Sequence, residues 1–361
     1  MLYYLLTPLR DQFIGFNLFR YISFRAALSV VFAFLISMLL GGYIIKLLKK
    51  YQIGEEIRDD GPQTHLSKRG TPSMGGIIII ISVIIPTLLF AKYMEIYIWL
   101  VLLVTLFLSL IGFRDDYLKI VKKYPKGLIA RYKLIFQILL GLFVGCMIYF
   151  FPVVEEARTV STVPFFKDYE FNFGIFYIPF IAFVITATSN SSNLTDGLDG
   201  LLAGLMAIAA ISFGLIAYVS GRVDFSDYLN IIYLQGAGEL TIFCAALFGA
   251  CLGFLWYNCH PAQVFMGDTG SLALGGSIAA VAILVKKEFW LLLICGLLVI
   301  ESLSVIIQVW YFKRKKKRIF KMAPLHHHYE LKGFAESKVV VRFWIIAIIL
   351  SLLTLTTFKI R

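Results

Sequence analysis

Apolar runs separated by short polar segments fill almost the whole chain. A helix that crosses a bilayer needs about 20 predominantly apolar residues. Ten runs qualify, at roughly 24–46, 75–91, 95–113, 132–151, 175–191, 200–219, 240–257, 270–285, 289–311 and 339–358. Several contain Gly or Pro (Gly41-Gly42, Pro86, Gly275-Gly276), which spanning helices tolerate because neighbouring helices satisfy the freed backbone groups. The weakest break is Lys286-Lys287-Glu288, between the eighth and ninth runs. The pattern predicts an all-α polytopic integral membrane protein. It would form a single domain over residues 1–361, with about ten spans and both termini on one side.

Composition agrees. Of 361 residues 59% are hydrophobic, and the mean hydropathy is +0.82, more apolar side chain than a water-soluble chain of this length could bury. The first twenty residues carry Arg10 and Asp11, lack a small-residue cleavage site and lead into a full span, so no secretory signal is expected. The five cysteines form no CxxC pair and lie mostly within apolar runs, which fits small buried side chains rather than disulfides or thiolate metal ligands.

The basic residues set an orientation. The loops after runs one, three, five, seven and nine hold 6, 7, 0, 0 and 10 Lys/Arg, or 23 of the 34 in the chain. The positive-inside rule makes those loops cytoplasmic and both termini external, on the periplasmic side. The net charge of +12 therefore does not point to nucleic acid. Its carriers are juxtamembrane, as in KRKKKR at Lys313–Arg318, where anionic head groups attract them.

Five polar segments fall on that same face: KRGTPSMGG at Lys68–Gly76, FRDDYLK at Phe113–Lys119, NLTDGLDGL at Asn193–Leu201, VFMGDTGS at Val264–Ser271 and PLHHHYE at Pro324–Glu330. Ionisable groups are costly at a membrane boundary, so their segregation suggests one cytoplasmic active site built from several loops. Asp115 and Asp116 are adjacent carboxylates that repel unless a cation lies between them, and they oppose the dipole at the end of a helix. Mg²⁺ suits them, since it takes one or two carboxylates plus phosphate oxygens. Asn190, Asn193, Asp196 and Asp199 surround glycines at the start of the sixth run, where a spacing of three puts Asp196 and Asp199 on one helix face. Asp268, in an amide-rich turn opening the eighth run, suits a metal–phosphate pair, and Asn258 precedes that loop. Lys68, Arg69, Thr71 and Ser73 offer cationic and hydroxyl donors. His326, His327 and His328 cannot share one helix face; they could ligate Zn²⁺ or donate to phosphate oxygens. His65 and His260 read as structural. Each segment also has an ordinary reading, as a turn, a helix cap or a solvated loop. Together they suit metal-assisted phosphoryl transfer, in which acids hold the cation and basic groups balance phosphates. The membrane setting makes one substrate a lipid. A metal- or proton-coupled transporter is the rival, but it would carry ionisable groups near the midplane. The clearest such group is Glu301, which also fits an interhelical hydrogen bond.

GTPSMGG, FRDDYLK, SNLTDGLDGL, PAQVFMGDTGS and MAPLHHHYELKG, in this order from Lys68 to Gly333, resemble the motifs of the bacterial phospho-N-acetylmuramoyl-pentapeptide transferases. The aspartate motifs are shared with other polyprenyl-phosphate N-acetylhexosamine-1-phosphate transferases, and the triple histidine points to the muramoyl-pentapeptide branch. The resemblance implies reaction of UDP-N-acetylmuramoyl-pentapeptide with undecaprenyl phosphate to give lipid I and UMP, with Mg²⁺, by a homodimer in the bacterial inner (plasma) membrane. It makes Asp115, Asp116 and Asp268 catalytic, with Asp268 on Mg²⁺ and Asp115 a candidate base. It assigns Asn190, Asn193, Asp196 and Asn258 to the uridine or to holding the site. Lys68, Ser73, His326, His327 and His328 would meet the diphosphate or sugar, and Gln308 is a further candidate. Ser73 stands where the family often has Thr. Arg114 stands where an apolar residue is common, and would set a cation beside Asp115. The sister reaction, transfer from UDP-N-acetylglucosamine, is the nearest alternative.

Overall fold

The computed structural model describes residues 1–51, 68, 70–124, 127–166 and 170–360. Arg69 and His65 lie outside these residues, and so does most of the loop before Lys68. All ten apolar runs are helical: α1 (Ile22–Lys50), α2 (Gly76–Phe90), α3 (Ile96–Ile120), α4 (Ala130–Phe150), α5 (Tyr177–Thr195), α6 (Leu201–Ser220), α7 (Leu240–Asn258), α8 (Gly267–Leu284), α9 (Gly296–Lys315) and α10 (Glu336–Ile360). Among the described residues nine helices are long and apolar enough to cross a membrane, so the chain is a multi-pass membrane protein. The remaining run, α2, has 15 residues with Pro86 inside it.

α8 organises the bundle. It is rich in Gly, Ala and Ser, and 89% of its length is buried. Small residues let helix backbones approach closely where lipid provides no hydrophobic drive between helices. α8 packs on α2, α3, α5 and α6, while α1 and α7 pair beside them. At Gly112 of α3 the approach is so close that a Cβ would lie 2.1 Å from the carbonyl oxygen of Asp268. That contact joins two of the predicted carboxylate segments.

The ninth run differs from expectation. Its first part folds as a short 3-10 turn at Glu288–Trp290 and a short helix at Leu291–Ile294, and α9 starts only at Gly296. Lys286-Lys287-Glu288 is not a solvated break, because all three side chains are buried. Lys286 Nζ donates to Tyr177 Oη (3.0 Å) and Lys287 Nζ to Thr162 Oγ1 (2.7 Å), while the Glu288 carboxylate accepts from Ser161 and Tyr177. These bonds dock a two-stranded antiparallel hairpin, β1 (Val160–Thr162) and β2 (Glu170–Asn172), registered Val160 to Asn172. Burial pushes Lys286 down to about 8 and pushes Glu288 up.

The first residue and the end of α10 both lie toward this same end of the bundle, opposite Asp268. The Met1 amine donates to Leu88 O at the end of α2 (2.8 Å), and Phe358 stacks on Trp290. Nearby, Arg25 of α1 is fully buried and bidentate on Glu239 (2.7 Å for both bonds), with a further bond to Phe90 O at 2.9 Å. Removing one partner of a buried pair strands the other charge, at a cost of about 3–5 kcal/mol. Arg25→Met is therefore expected to lower the thermal midpoint in detergent, and Arg25→Met/Glu239→Leu to recover part of the loss. A double variant no more stable than the single one would contradict the stranded-charge account.

Candidate active site

Asp115 and Asp116 are buried one turn inside the C-terminal end of α3, which runs past the predicted boundary to Ile120. The two carboxylates do different work. Asp116 accepts from Asp268 N–H (3.1 Å) and Thr269 N–H (2.9 Å) and from Thr269 Oγ1 (2.6 Å). It satisfies backbone donors left free in the first turn of α8, where negative charge is also favoured by the helix dipole. Asp115 faces the other way. Its Oδ1 accepts from Leu128 N–H (2.6 Å), and its Oδ2 meets Lys119 Nζ (2.7 Å) and Lys133 Nζ (3.2 Å).

Asp268 converges on the same two ammonium groups. Its Oδ2 lies 2.5 Å from Lys133 Nζ and 3.4 Å from Lys119 Nζ, and its Oδ1 accepts from Asn193 Nδ2 at 2.7 Å. Two carboxylates, Asp115 and Asp268, thus face two ammonium groups, with the Asp116 carboxylate next to them on the α8 backbone. The oxygens of Asp115 and Asp268 already share cations, as carboxylates holding a hard divalent ion must, so this donor set fits Mg²⁺. Neither lysine was singled out from sequence. Lys119 had a local signal, four residues after Asp115 on one helix face. Lys133 had none, since its partner Asp268 is 135 residues away.

Arg114 is exposed, and the cations that meet Asp115 are the two lysines, so the expected Arg114–Asp115 pairing is corrected. Asn193 orients Asp268 and bonds Ser271 Oγ (2.8 Å). Asn190 donates to Gln137 Oε1 and Thr186 O (2.8 Å each), and Ser73 is buried against Gly267. Asn258 accepts from Gly200 N–H (3.1 Å) and donates to Val264 O (2.9 Å), so it ties two site loops together.

Asp196 and Asp199 do not share a helix face. Asp196 closes α5, and α6 starts only at Leu201, after Gly200 in a left-handed conformation. Asp199 instead enters a second cluster, with Lys68, His260 and Glu336. Asp199, His260 and Glu336 also present ligand atoms within 4.8 Å of one another.

The histidines lie on a short helix, Leu325–Glu330. Glu301 accepts from Leu325 N–H (2.6 Å) and His326 N–H (3.1 Å), so its partner is this segment's backbone and not another span. His326 is buried, with Nε2 so near Gly197 that a Cβ there would lie 2.2 Å away. His327 Nδ1 pairs with Glu330 (2.8 Å). His328 accepts from Lys321 N–H at Nδ1 (3.1 Å), and burial, then Lys332 and Lys321, hold it below the usual histidine range. Gln308 bonds the backbone of Ile319 and Phe320, apart from the carboxylates.

Comparison with known proteins shows the family. Residues 98–286 match the model of glycosyl transferase family 4, and residues 68–80 match signature 1 of the phospho-N-acetylmuramoyl-pentapeptide-transferases. Proteins of that name from Desulfotalea psychrophila and Thermodesulfovibrio yellowstonii are 52% and 51% identical to the chain, and one from Citrifermentans bemidjiense is 48% identical. In each case the match covers 100% of both chains. The chain belongs to the phospho-N-acetylmuramoyl-pentapeptide-transferase family. Members of this family are transferases, and Asp115, Asp116 and Asp268, on helices α3 and α8, lie within the region matched to glycosyl transferase family 4.

The closeness of α3 to α8 gives a test. A methyl group at position 112 would strike the Asp268 carbonyl, and such overpacking costs about 1–3 kcal/mol or displaces backbone. Gly112→Ala is expected to cut turnover at least tenfold in protein that still inserts and purifies as a monodisperse species. Unchanged turnover would mean that the α3–α8 approach does not set the site.

Proposed function

We propose that this chain transfers phospho-N-acetylmuramoyl-pentapeptide from its UDP donor to undecaprenyl phosphate, releasing lipid I and UMP. A lipid phosphate oxygen would form a bond to the sugar-proximal phosphorus of the donor, and the bond from that phosphorus to the uridylyl oxygen would break. The observation that carries this reading is the meeting of Asp115 and Asp268 at Lys119 and Lys133, in a chain of this family.

Mg²⁺ would be held by Asp268, with Asp115 beside it, and would supply charge neutralisation for the phosphate oxygens. Asp116, engaged by three donors of the first turn of α8, would keep Asp268 aimed. Asp115 would take the proton from the lipid phosphate, and Lys119 and Lys133 would balance the phosphates. Lys68 and Asp196 would bind donor; Asn190, Asn193 and Asn258 would hold the loops. Ser73 and the histidine segment would border the sugar and diphosphate.

The enzyme would lie in the inner membrane with the carboxylates on the cytoplasmic side and both termini outside. The basic loops support this orientation, and so does the position of Met1 and of Phe358 at the end of the bundle opposite Asp268. One continuous apolar core from Ala33 to Phe358 supports a single domain. A homodimer would be the working form.

The test is UMP release by purified protein with undecaprenyl phosphate, Mg²⁺ and either UDP-N-acetylmuramoyl-pentapeptide or UDP-N-acetylglucosamine. Release is expected only with the muramoyl donor, stopped by EDTA, and reduced about 100-fold or more by Asp268→Ala. Release only with the glucosamine donor would move the chain to the sister branch.

A further inference from the structure

Glu336 belongs to none of the five motifs, yet it touches two of them. It is the first residue of α10, and its carboxylate turns away from the helix into the second cluster. Oε1 accepts from Lys68 Nζ (2.6 Å) and from Asp199 N–H (2.7 Å), and Oε2 lies 3.4 Å from His260 Nδ1. Asp199 completes the ring. Its Oδ1 accepts from Lys68 Nζ (2.8 Å), while its Oδ2 lies 3.1 Å from His260 Nδ1 and accepts from Ala262 N–H (3.1 Å).

Two of the three N–H groups of Lys68 are therefore directed at carboxylates that come from separate parts of the chain. The Lys68 and Glu336 side chains are 12% and 8% exposed, so water can replace little of this bonding, whereas His260 is 44% exposed and closes the open side. A lysine side chain has four rotatable bonds, and fixing one costs up to about 2 kcal/mol of rotamer entropy. A ring of charge-assisted hydrogen bonds meets that cost before any substrate arrives.

We propose that Glu336 is a positioning residue for the donor site: it holds Lys68 and the Asp199 backbone in the pose that meets the nucleotide–sugar donor. His260 supports it from the open side. This rests on the reading of Lys68 as a donor-binding residue. It adds the start of α10 to the site and assigns it to the donor rather than to the lipid acceptor.

Glu336→Gln keeps shape and removes charge. A single amide oxygen cannot serve Lys68, Asp199 N–H and His260 as the carboxylate does, and loss of a charge-assisted bond corresponds to about tenfold or more. The variant is expected to raise the donor KM about tenfold, with kcat and the acceptor KM within twofold of wild type. Glu336→Asp, which retains the charge, is expected to fall between the two. In a Lys68→Ala background the effect of Glu336→Gln is expected to shrink to about threefold or less, because one of the two groups being positioned is gone. A merely structural role at the head of α10 would move both KM values together, or would persist undiminished in that background. Either result overturns the proposal. Lys68→Ala leaving the donor KM unchanged would instead refute the reading of Lys68 on which it rests.

Discussion

The site depends on one contact, in which a carboxylate of α3 holds the first turn of α8. Asp116 accepts two backbone N–H groups and a hydroxyl from Asp268 and Thr269. Buried backbone donors must be satisfied, more so where lipid excludes water. The contact thus meets a structural requirement and aims Asp268 at the same time. Gly112 makes it possible by letting the α3 backbone reach the start of α8. With α8 pinned, Asp115 and Asp268 face the same two lysines, and Asn193 fixes the second oxygen of Asp268.

The two charge clusters differ in build. Around Asp268, two carboxylates share two lysines, so a divalent ion can enter by displacing flexible side chains. Around Lys68, two carboxylates from the Asp199 loop and the α10 start close on one ammonium, and an imidazole covers the exposed side. The first arrangement suits charge that develops during phosphoryl transfer. The second suits a fixed recognition element.

Much of this was legible in the sequence, for physical reasons. Apolar runs of spanning length carry a strong signal, and all ten became helices. The break within the ninth run was hidden, since Phe289–Ile294 is apolar whether helical or turned. The burial of Lys286–Glu288 was hidden too, because hydropathy cannot see that Ser161, Thr162 and Tyr177 would come to meet it. Asp115, Asp116 and Asp268 announced themselves as costly charges beside apolar runs. Lys133, His260 and Glu336 did not, because their partners are distant in sequence and a basic, acidic or histidine residue at a helix boundary is ordinary. Glu301 was legible as an anomaly, but its partner, the backbone ahead of the histidines, was not.

The most direct measurement is of cation binding itself, by electron paramagnetic resonance of Mn²⁺ added to the purified protein without substrates. The account predicts a bound Mn²⁺ that Mg²⁺ displaces, that is lost in Asp268→Asn and that is retained in Asp199→Asn. Binding unchanged in Asp268→Asn, or lost in Asp199→Asn, would contradict it and move the cation to the cluster around Lys68.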